Sequence, residues 1–266
     1  MKELAVVVNN DNDKSVTIYE TIDAIKKAGF NNVFVQWYNK DWSPSQEEQL
    51  KIIKEKELNI IFAHLGYKGI NNIWLEGEDG DNLVSAYKED IRICKENGIP
   101  MVVMHLTSKH EAPTYGKIGL NRIKEIVDYA KELDVKVAFE NTKIKGYLDY
   151  VISNIDNGNV GICLDSGHYH VHFDDELNWD LFKNRIFAVH IHDNDKSDDL
   201  HLLPFDGTLD WEDFISKLDN ANYEGPITME LCYRNDYLNM SVDEFYKKGY
   251  EVGTKLSSLS NNKKES

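Results

Sequence analysis

The chain is short of cysteine, of basic residues and of long apolar runs. Its three cysteines, Cys94, Cys163 and Cys232, are odd in number and far apart, which argues against a disulfide framework and removes structural zinc and iron–sulfur readings. Thirty Lys plus Arg stand against 46 Asp plus Glu, a net charge of −16. That balance opposes non-specific binding to phosphate backbones and anionic membranes, and so argues against a nucleic-acid partner. No apolar stretch approaches the roughly 18 residues of a membrane span, and the start MKELAVVVNND is too short and acidic for a signal peptide, so a cytoplasmic location is expected. No glycine-rich phosphate loop follows the first β-prone run, which counts against an open doubly wound sheet.

What the chain does contain is a repeated ending. Six apolar stretches close on a metal-binding or acid/base side chain: FAHLG at His64, VVMHL at His105, VAFEN at Glu140, ICLDSGH at Asp165 and His168, AVHIHD at His190, and ITMEL at Glu230. Runs of this kind at intervals of roughly 25 to 40 residues are what a parallel barrel delivers to one rim. Strands are expected at Leu4–Asn9, Asn32–Gln36, Asn59–His64, Met101–His105, Lys136–Glu140, Val160–Asp165, Ile186–His192 and Pro226–Leu231. Between them lie segments such as SVTIYETIDAIKKAGF and GLNRIKEIVDYAKELD, with apolar residues at three and four spacing, the pattern of amphipathic cover helices. Ser43 with Pro44 and Gln46 resembles a capping box, and Gly29 and Gly98 close two other helices. Strand–helix alternation with short connections implies right-handed crossovers. The fold expected is a single α/β (β/α)₈ TIM barrel over 1–256, its active site at the carboxyl ends of the strands, followed by a disordered polar tail, 257–266.

The ligating residues differ in how much each says alone. Glu140 and Glu230 end apolar strands, where a lone carboxylate is costly unless paired or on a metal. Asp165 and His168 are three apart across Gly167, so a tight turn aims both at one centre. His190 and His192 share a strand face; His190 is the metal ligand expected, and His192 either supports the ligands from behind or contacts substrate. His170 and His172 read as structural or exposed. His64 and His105 gain weight from their matching strand-end positions, and Asp199 with His201 lies on the loop after the seventh strand. Two glutamates, an aspartate and a histidine make an oxygen-rich site for Mn²⁺, Zn²⁺, Co²⁺ or Mg²⁺. One such ion can hold two sugar oxygens and stabilise an enediolate while carboxylates remove and return a proton. Adding His64, His105, His168, Asp199 and His201 gives ligands for two or three ions, the equipment for attack on a phosphodiester.

The ordered set Glu140 in FENT, Asp165 and His168 in LDSGH, His190 in VHIHDND, DLHLLPFDGTLDW and NYEGPITMEL ending at Glu230 resembles the xylose-isomerase-like barrel superfamily, in particular its sugar isomerase and epimerase branch. The resemblance implies metal on Glu140, Asp165, His190 and Glu230, general acid/base work by Glu140 and Glu230, and substrate contact by His168. It also extends to the metal-dependent abasic-site endonucleases, in which positions matching His64, His105, Glu140, Asp165, His168, His190, Asp199, His201 and Glu230 hold a zinc cluster. Departures from that second branch include ENTKIKG, PFDG and His192; departures from the ketose epimerases are Gly146 and Lys196, where an acid and an arginine are usual. Trp37 and Trp74 are expected as aromatic walls of the substrate site. Lys196 and Arg234 are candidates for a hydroxyl or phosphate contact, with an ordinary loop charge as the alternative. The expected partner is a small sugar or sugar phosphate, with room for a homo-oligomer.

Overall fold

The structure is a computed structural model that describes residues 1–8, 12–13, 15–37, 44–108, 111–173 and 177–261. In chain order the elements are β1 (Leu4–Val8), α1 (Ile18–Ala28), β2 (Asn32–Trp37), α2 (Gln46–Glu55), β3 (Asn59–Leu65), α3 (Glu78–Glu96), β4 (Met101–Met104), α4 (Lys117–Glu132), β5 (Lys136–Glu140), α5 (Tyr147–Asn154), β6 (Val160–Asp165), α6 (Ser166–His172), α7 (Trp179–Phe182), β7 (Ile186–His190), α8 (Trp211–Asn220), β8 (Ile227–Met229) and α9 (Val242–Asn261), with 3₁₀ turns at Ile70–Trp74 and Asn235–Asn239. The strands run parallel in the order β7-β6-β5-β4-β3-β2-β1-β8. Between the two ends of that ladder, Ile191 N donates to Thr228 O at 2.8 Å and Glu230 N donates to Ile191 O at 3.0 Å, so the sheet comes round into a nearly closed (β/α)₈ TIM barrel. Among the described residues no helix is long and apolar enough to cross a membrane.

Strand alternation divides the core into two layers. Val6, Val8, Val33, Val35, Val102, Val137, Ile162 and Val189 face outward and pack under the helices with residues such as Ile22, Ile53, Ile91 and Ile126. Val7, Phe34, Phe62, Val103, Ala138, Cys163 and Ala188 face inward and fill the barrel. The inward set is a packed plug, not a pore, as barrels of this size require. Successive inward positions along a strand are two residues apart, so the next inward position on each strand stands at the carboxyl rim.

Helix ends follow local chemistry. Thr17 and Glu20 form a capping box on α1, and Gly29 ends it in a left-handed turn at φ 107° that a side chain would strain. The cap of α2 is Ser45, whose Oγ accepts from Glu48 N at 3.3 Å; Ser43 lies outside the described residues, as does Asn9. Strands β2, β3, β4 and β8 differ from the expected bounds by one or two residues at an end, and two further ends, of β7 and α9, differ for a visible reason. β7 stops at His190 because the backbone of Ile191 turns to Thr228 and Glu230 of the β8 side instead of continuing the ladder with β6. α9 continues through Asn261, holding Leu256 and Ser257 buried, with Ser257 Oγ donating to Lys2 O at 3.1 Å. Residues 257–261 are therefore helical, and 262–266 lie outside the described residues.

Candidate metal centre

Each strand-borne ligand sits two positions above a residue of the inner plug. Phe62 leads to His64, Val103 to His105, Ala138 to Glu140, Cys163 to Asp165 and Ala188 to His190. On β8 the buried Thr228 leads to Glu230 in the same way. The period of two and the closure of the sheet together are what bring side chains 166 residues apart in sequence onto one ring.

Glu140 is the hub of that ring. Its Oε2 lies 3.0 Å from His64 Nε2, 3.3 Å from His105 Nε2 and 3.4 Å from His190 Nδ1, and its Oε1 lies 3.1 Å from His168 Nδ1. Nδ1 of His190 is also 3.4 Å from Glu230 Oε2 and 3.8 Å from Asp165 Oδ2. Asp165 caps α6, its Oδ1 accepting from His168 N at 2.6 Å, which places the His168 ring over the centre. Gly167 permits this: a Cβ there would lie 1.9 Å from Cε1 of His192.

The rest of the ring comes from the loop after β7. His168 Nε2 is 3.3 Å from Asp199 Oδ2, and His201 Nε2 is 3.5 Å from the same oxygen. The His201 ring stacks on His192 with centroids 4.0 Å apart, and His192 Nε2 lies 3.2 Å from Asp165 Oδ2. Buried Asp193 ties this loop down: it accepts from Asn194 N, Phe205 N, Leu209 N and Trp211 Nε1 at 2.8–3.1 Å. His201 itself sits at φ 52°, a left-handed backbone that a histidine adopts at some cost when surrounding contacts impose it.

The electrostatics call for positive charge. Burial pushes the Glu140 carboxyl up, but His105 and His190 outweigh it and hold the group well below the usual carboxylate range. Burial likewise opposes ionisation of Asp165, and His168 and His192 overcome it. His168 responds in reverse: burial disfavours its charged form, yet Asp165, Asp199 and Glu140 hold the ring well above its ordinary value. Carboxylates ionised in a buried ring need a compensating cation, either protons on the imidazoles or a metal that displaces them. The donor set fits a metal. Four overlapping triads, His64–Glu140–His190, Glu140–Asp165–His168, Asp165–His190–Glu230 and His192–His201–Glu230, each place three ligand atoms within 4.8 Å of one another. Both ring nitrogens of His190 are buried without a hydrogen-bond partner, an arrangement that leaves lone-pair capacity aimed at the centre.

Above the ring opens a cavity of about 120 Å³ lined by Gln36, His64, Tyr67, His105, Glu140, His168, Asp199, His201, Glu230, Cys232 and Arg234. Of the residues that the sequence points to, His192 is fully buried among the ligating groups instead of lining this opening. Trp37 is one step out of phase with inward-facing Gln36 and packs in the outer core layer. Trp74 donates from Nε1 to Leu106 O at 2.7 Å and lies against Gly119 on α4, away from the cavity. Lys196 is exposed in the loop after β7 and does not line the cavity. Sequence reasoning passed over Gln36, Tyr67, Cys232 and Asp193. Gln36 was within reach, being two positions past Phe34 in the inner plug. Tyr67 carries no strand phase; it stacks on His105 with centroids 4.3 Å apart.

The chain matches the family model for the xylose isomerase-like TIM barrel over residues 22–254. It is 28% identical over 192 residues to the uncharacterized protein y4fM of Sinorhizobium fredii, covering 66% of this chain and 60% of that one, so the match spans less than two thirds of the relative's length. A shorter stretch of 126 residues, 40% of this chain and 43% of the other, is 29% identical to a probable endonuclease 4 of Mycoplasma capricolum. Among solved structures, a D-tagatose 3-epimerase-like protein superposes with a TM-score of 0.74 at 20% identity, covering 99% of both chains. An IOLI protein with a binding zinc atom superposes with a TM-score of 0.75 at 18% identity, covering 98% of this chain and 99% of that one. At these identities the two structural likenesses are likenesses of fold.

Proposed function

The chain belongs to the xylose isomerase-like TIM barrel family, and from that premise we propose that it is a divalent-metal-dependent isomerase or epimerase of a sugar, sugar phosphate or polyol. The observation that carries the reading is the pairing of Glu140 with Glu230, which approach Nδ1 of His190 at 3.4 Å each from different strands and line one cavity of small-molecule size. Two carboxylates facing one substrate are what removal and return of a proton beside a carbonyl require. In this reading Glu140, Asp165, His190 and Glu230 hold the ion, with Mn²⁺ or Zn²⁺ suiting the mixture of carboxylate and imidazole and Co²⁺ or Mg²⁺ as substitutes. When bound, the ion supplies Lewis-acid polarisation of the substrate oxygens and offsets charge that develops on them.

The remaining work falls to the chain's own groups. Glu140, held ionised by His105 and His190 against its burial, accepts the proton from the substrate carbon. Glu230 acts from the other wall as a carboxylic acid, giving its own proton to the opposite face of that carbon in epimerisation, or to the neighbouring carbon, with a proton passing between the two oxygens, in isomerisation; exchange with solvent then resets the two carboxyls. His168, fixed through its backbone to Asp165 and lining the cavity, orients a substrate hydroxyl. The buried ring limits water around the reacting atoms, which strengthens each of these contacts.

A second reading rests on the wider ring. His64, His105, His168, Asp199 and His201 add donors for a second and third ion, and part of the chain is similar to a probable endonuclease 4. That reading makes the protein a multinuclear zinc phosphodiesterase. Elemental analysis of protein purified without a metal-affinity tag separates the two. About one ion per chain, with turnover on a ketose and aldose panel, supports the isomerase. Two or three zinc ions with cleavage of an abasic oligonucleotide and no sugar turnover would replace it with the hydrolase.

A further inference from the structure

The candidate ligands are not spread evenly round the rim. They rise from β3 to β8 and from the loop after β7, and none comes from the described residues of β1 and β2. In the sheet, β8 neighbours β1 and β1 neighbours β2, so this sector, whose described residues include no candidate ligand, is flanked by the end of β2 and by the segment after β8. Gln36 occupies the first of these and Arg234 the second, and both line the cavity that opens over the ring.

Both side chains hold unused polar capacity. Gln36 is 6% exposed, and its Oε1 is buried with no hydrogen-bond partner. Arg234 is half-buried, its Nε is likewise without a partner, and among the described residues it forms no ion pair with a carboxylate. Only Nε of the group is buried without a partner, and with no carboxylate on it in a chain of 16 surplus negative charges the guanidinium keeps its donors available at the cavity wall. A planar fork of donors in that setting matches an oxyanion, whether phosphate or carboxylate.

We propose that the sector of the cavity above β1 and β2 is an oxyanion subsite, in which Arg234 binds a phosphate or carboxylate of the substrate and Gln36 accepts a hydrogen bond from the hydroxyl next to it. This rests on the isomerase or epimerase reading and narrows its substrate class to anionic sugars, either sugar phosphates or sugar acids. The carbonyl end of such a molecule lies over the ligating ring, and its charged end is held away from the carboxylates of that ring by the arginine. Glu140 and Glu230 then act on a carbon whose position is set by both ends of the substrate.

The test is equilibrium binding to the metal-loaded protein by calorimetry, using matched pairs: a ketose with its terminal phosphate ester, an aldose with its aldonic acid, and inorganic phosphate alone. The anionic member of at least one pair is expected to bind about tenfold or more tightly than its neutral partner, the scale of a hydrogen bond to a charged group. Arg234→Gln should bring that ratio close to one, Arg234→Lys should restore part of it, and Gln36→Leu should weaken both members together while metal content stays at the wild-type value. An anion preference unchanged in Arg234→Gln would overturn the proposal by assigning the preference to the metal ions. Inorganic phosphate binding as tightly as the sugar phosphate would also overturn it, because the sugar would then add nothing. Because the readout is binding, the outcome is separate from turnover: an Arg234-dependent preference with no sugar turned over would sink the isomerase reading and keep the subsite, whereas turnover of neutral sugars without any anion preference would do the reverse.

Discussion

The two walls of the candidate metal centre are built on different principles. On the strand wall, Glu140, Asp165 and His190 each stand two residues above the barrel plug and share ladder hydrogen bonds with neighbouring strands. On the loop wall, Asp199 and His201 hang from a segment whose position is set through one buried carboxylate, Asp193, with four donors on it. That segment contains three non-glycine residues in the left-handed region, Lys196, His201 and Phe205. Strand geometry is redundant, since many backbone bonds fix one side chain. Loop geometry here is concentrated, since one side chain fixes many backbone positions. A substitution on the strand wall should therefore change chemistry and leave shape intact, whereas one at the loop's anchor should change shape first.

Glu140→Gln gives the sharpest form of the first half. It keeps the side-chain volume and removes the charge that His64, His105, His168 and His190 surround. Turnover should fall by about 10²–10⁴-fold, the usual contribution of a positioned acid/base group, while the circular dichroism spectrum stays that of the wild type. Activity like that of the wild type in this variant would remove Glu140 from the mechanism.

Asp193→Ala tests the second half. It leaves four buried or half-buried donors without their acceptor and frees the Asp199–His201 segment. Outer groups that orient metal ligands typically contribute 10–100-fold in metal affinity, so any second ion held through Asp199 and His201 should weaken by about that factor in chelator competition, and limited proteolysis should cut within 195–209 faster than in the wild type whatever the ion count. Binding through Glu140, Asp165, His190 and Glu230 should persist. Weakened binding at Glu140, Asp165, His190 and Glu230, or a loop as resistant to proteolysis as that of the wild type, would abolish the distinction between the two walls.

The same contrast explains what could be read from the amino-acid order. The barrel and the convergence of the candidate ligands on one rim were legible because a β-prone run closed by His, Asp or Glu reports both the strand and its rim end in one stretch of sequence. Gln36 has the same phase, two past Phe34, yet an amide is no metal ligand and a search by ligand chemistry passes it by. Trp37 was selected by residue type, and strand phase turns it outward into the helix layer. Asp193 could not be read at all, because its meaning lies in Phe205, Leu209 and Trp211, which reach it only after the loop folds back. His192 was expected either behind the ligands or at the substrate; it lies within the ring, 3.2 Å from Asp165 Oδ2 and stacked on His201.

Gly167→Ala strikes the seam between the walls, where α6 passes the His192 ring. A Cβ at that position would come within 1.9 Å of His192 Cε1, and His192, stacked on His201, has no free direction in which to retreat. Overpacking of this kind costs about 1–3 kcal/mol, so denaturant unfolding should show a lowered midpoint with an unchanged slope. The more telling readout is metal affinity, which should fall in parallel because His192 Nε2 lies 3.2 Å from Asp165 Oδ2. A fully stable variant with normal metal affinity would mean that α6 can shift without disturbing the ring, and that the seam is looser than the close approach implies.

The smallest effect belongs to Lys196, which shares the loop after β7 with Asp199 and His201 but stands outside the cavity, exposed at φ 70°. A lysine at this distance in sequence from the ring invites assignment as the residue that grips a substrate hydroxyl or phosphate. Its placement argues otherwise: among the described residues that line the cavity, the lysine or arginine is Arg234, which follows β8. Lys196→Ala should therefore change stability by no more than about 0.5 kcal/mol, as exposed substitutions usually do, and should leave KM for the best substrate within roughly twofold, since a rim charge outside the contact set contributes little. Substitution to glycine, which relieves the left-handed backbone, should be neutral or slightly stabilising. A KM raised tenfold in Lys196→Ala with kcat unchanged would show that the loop closes over the substrate far enough to bring this side chain in, and the loop wall would then have to be regarded as a moving part and not a fixed one.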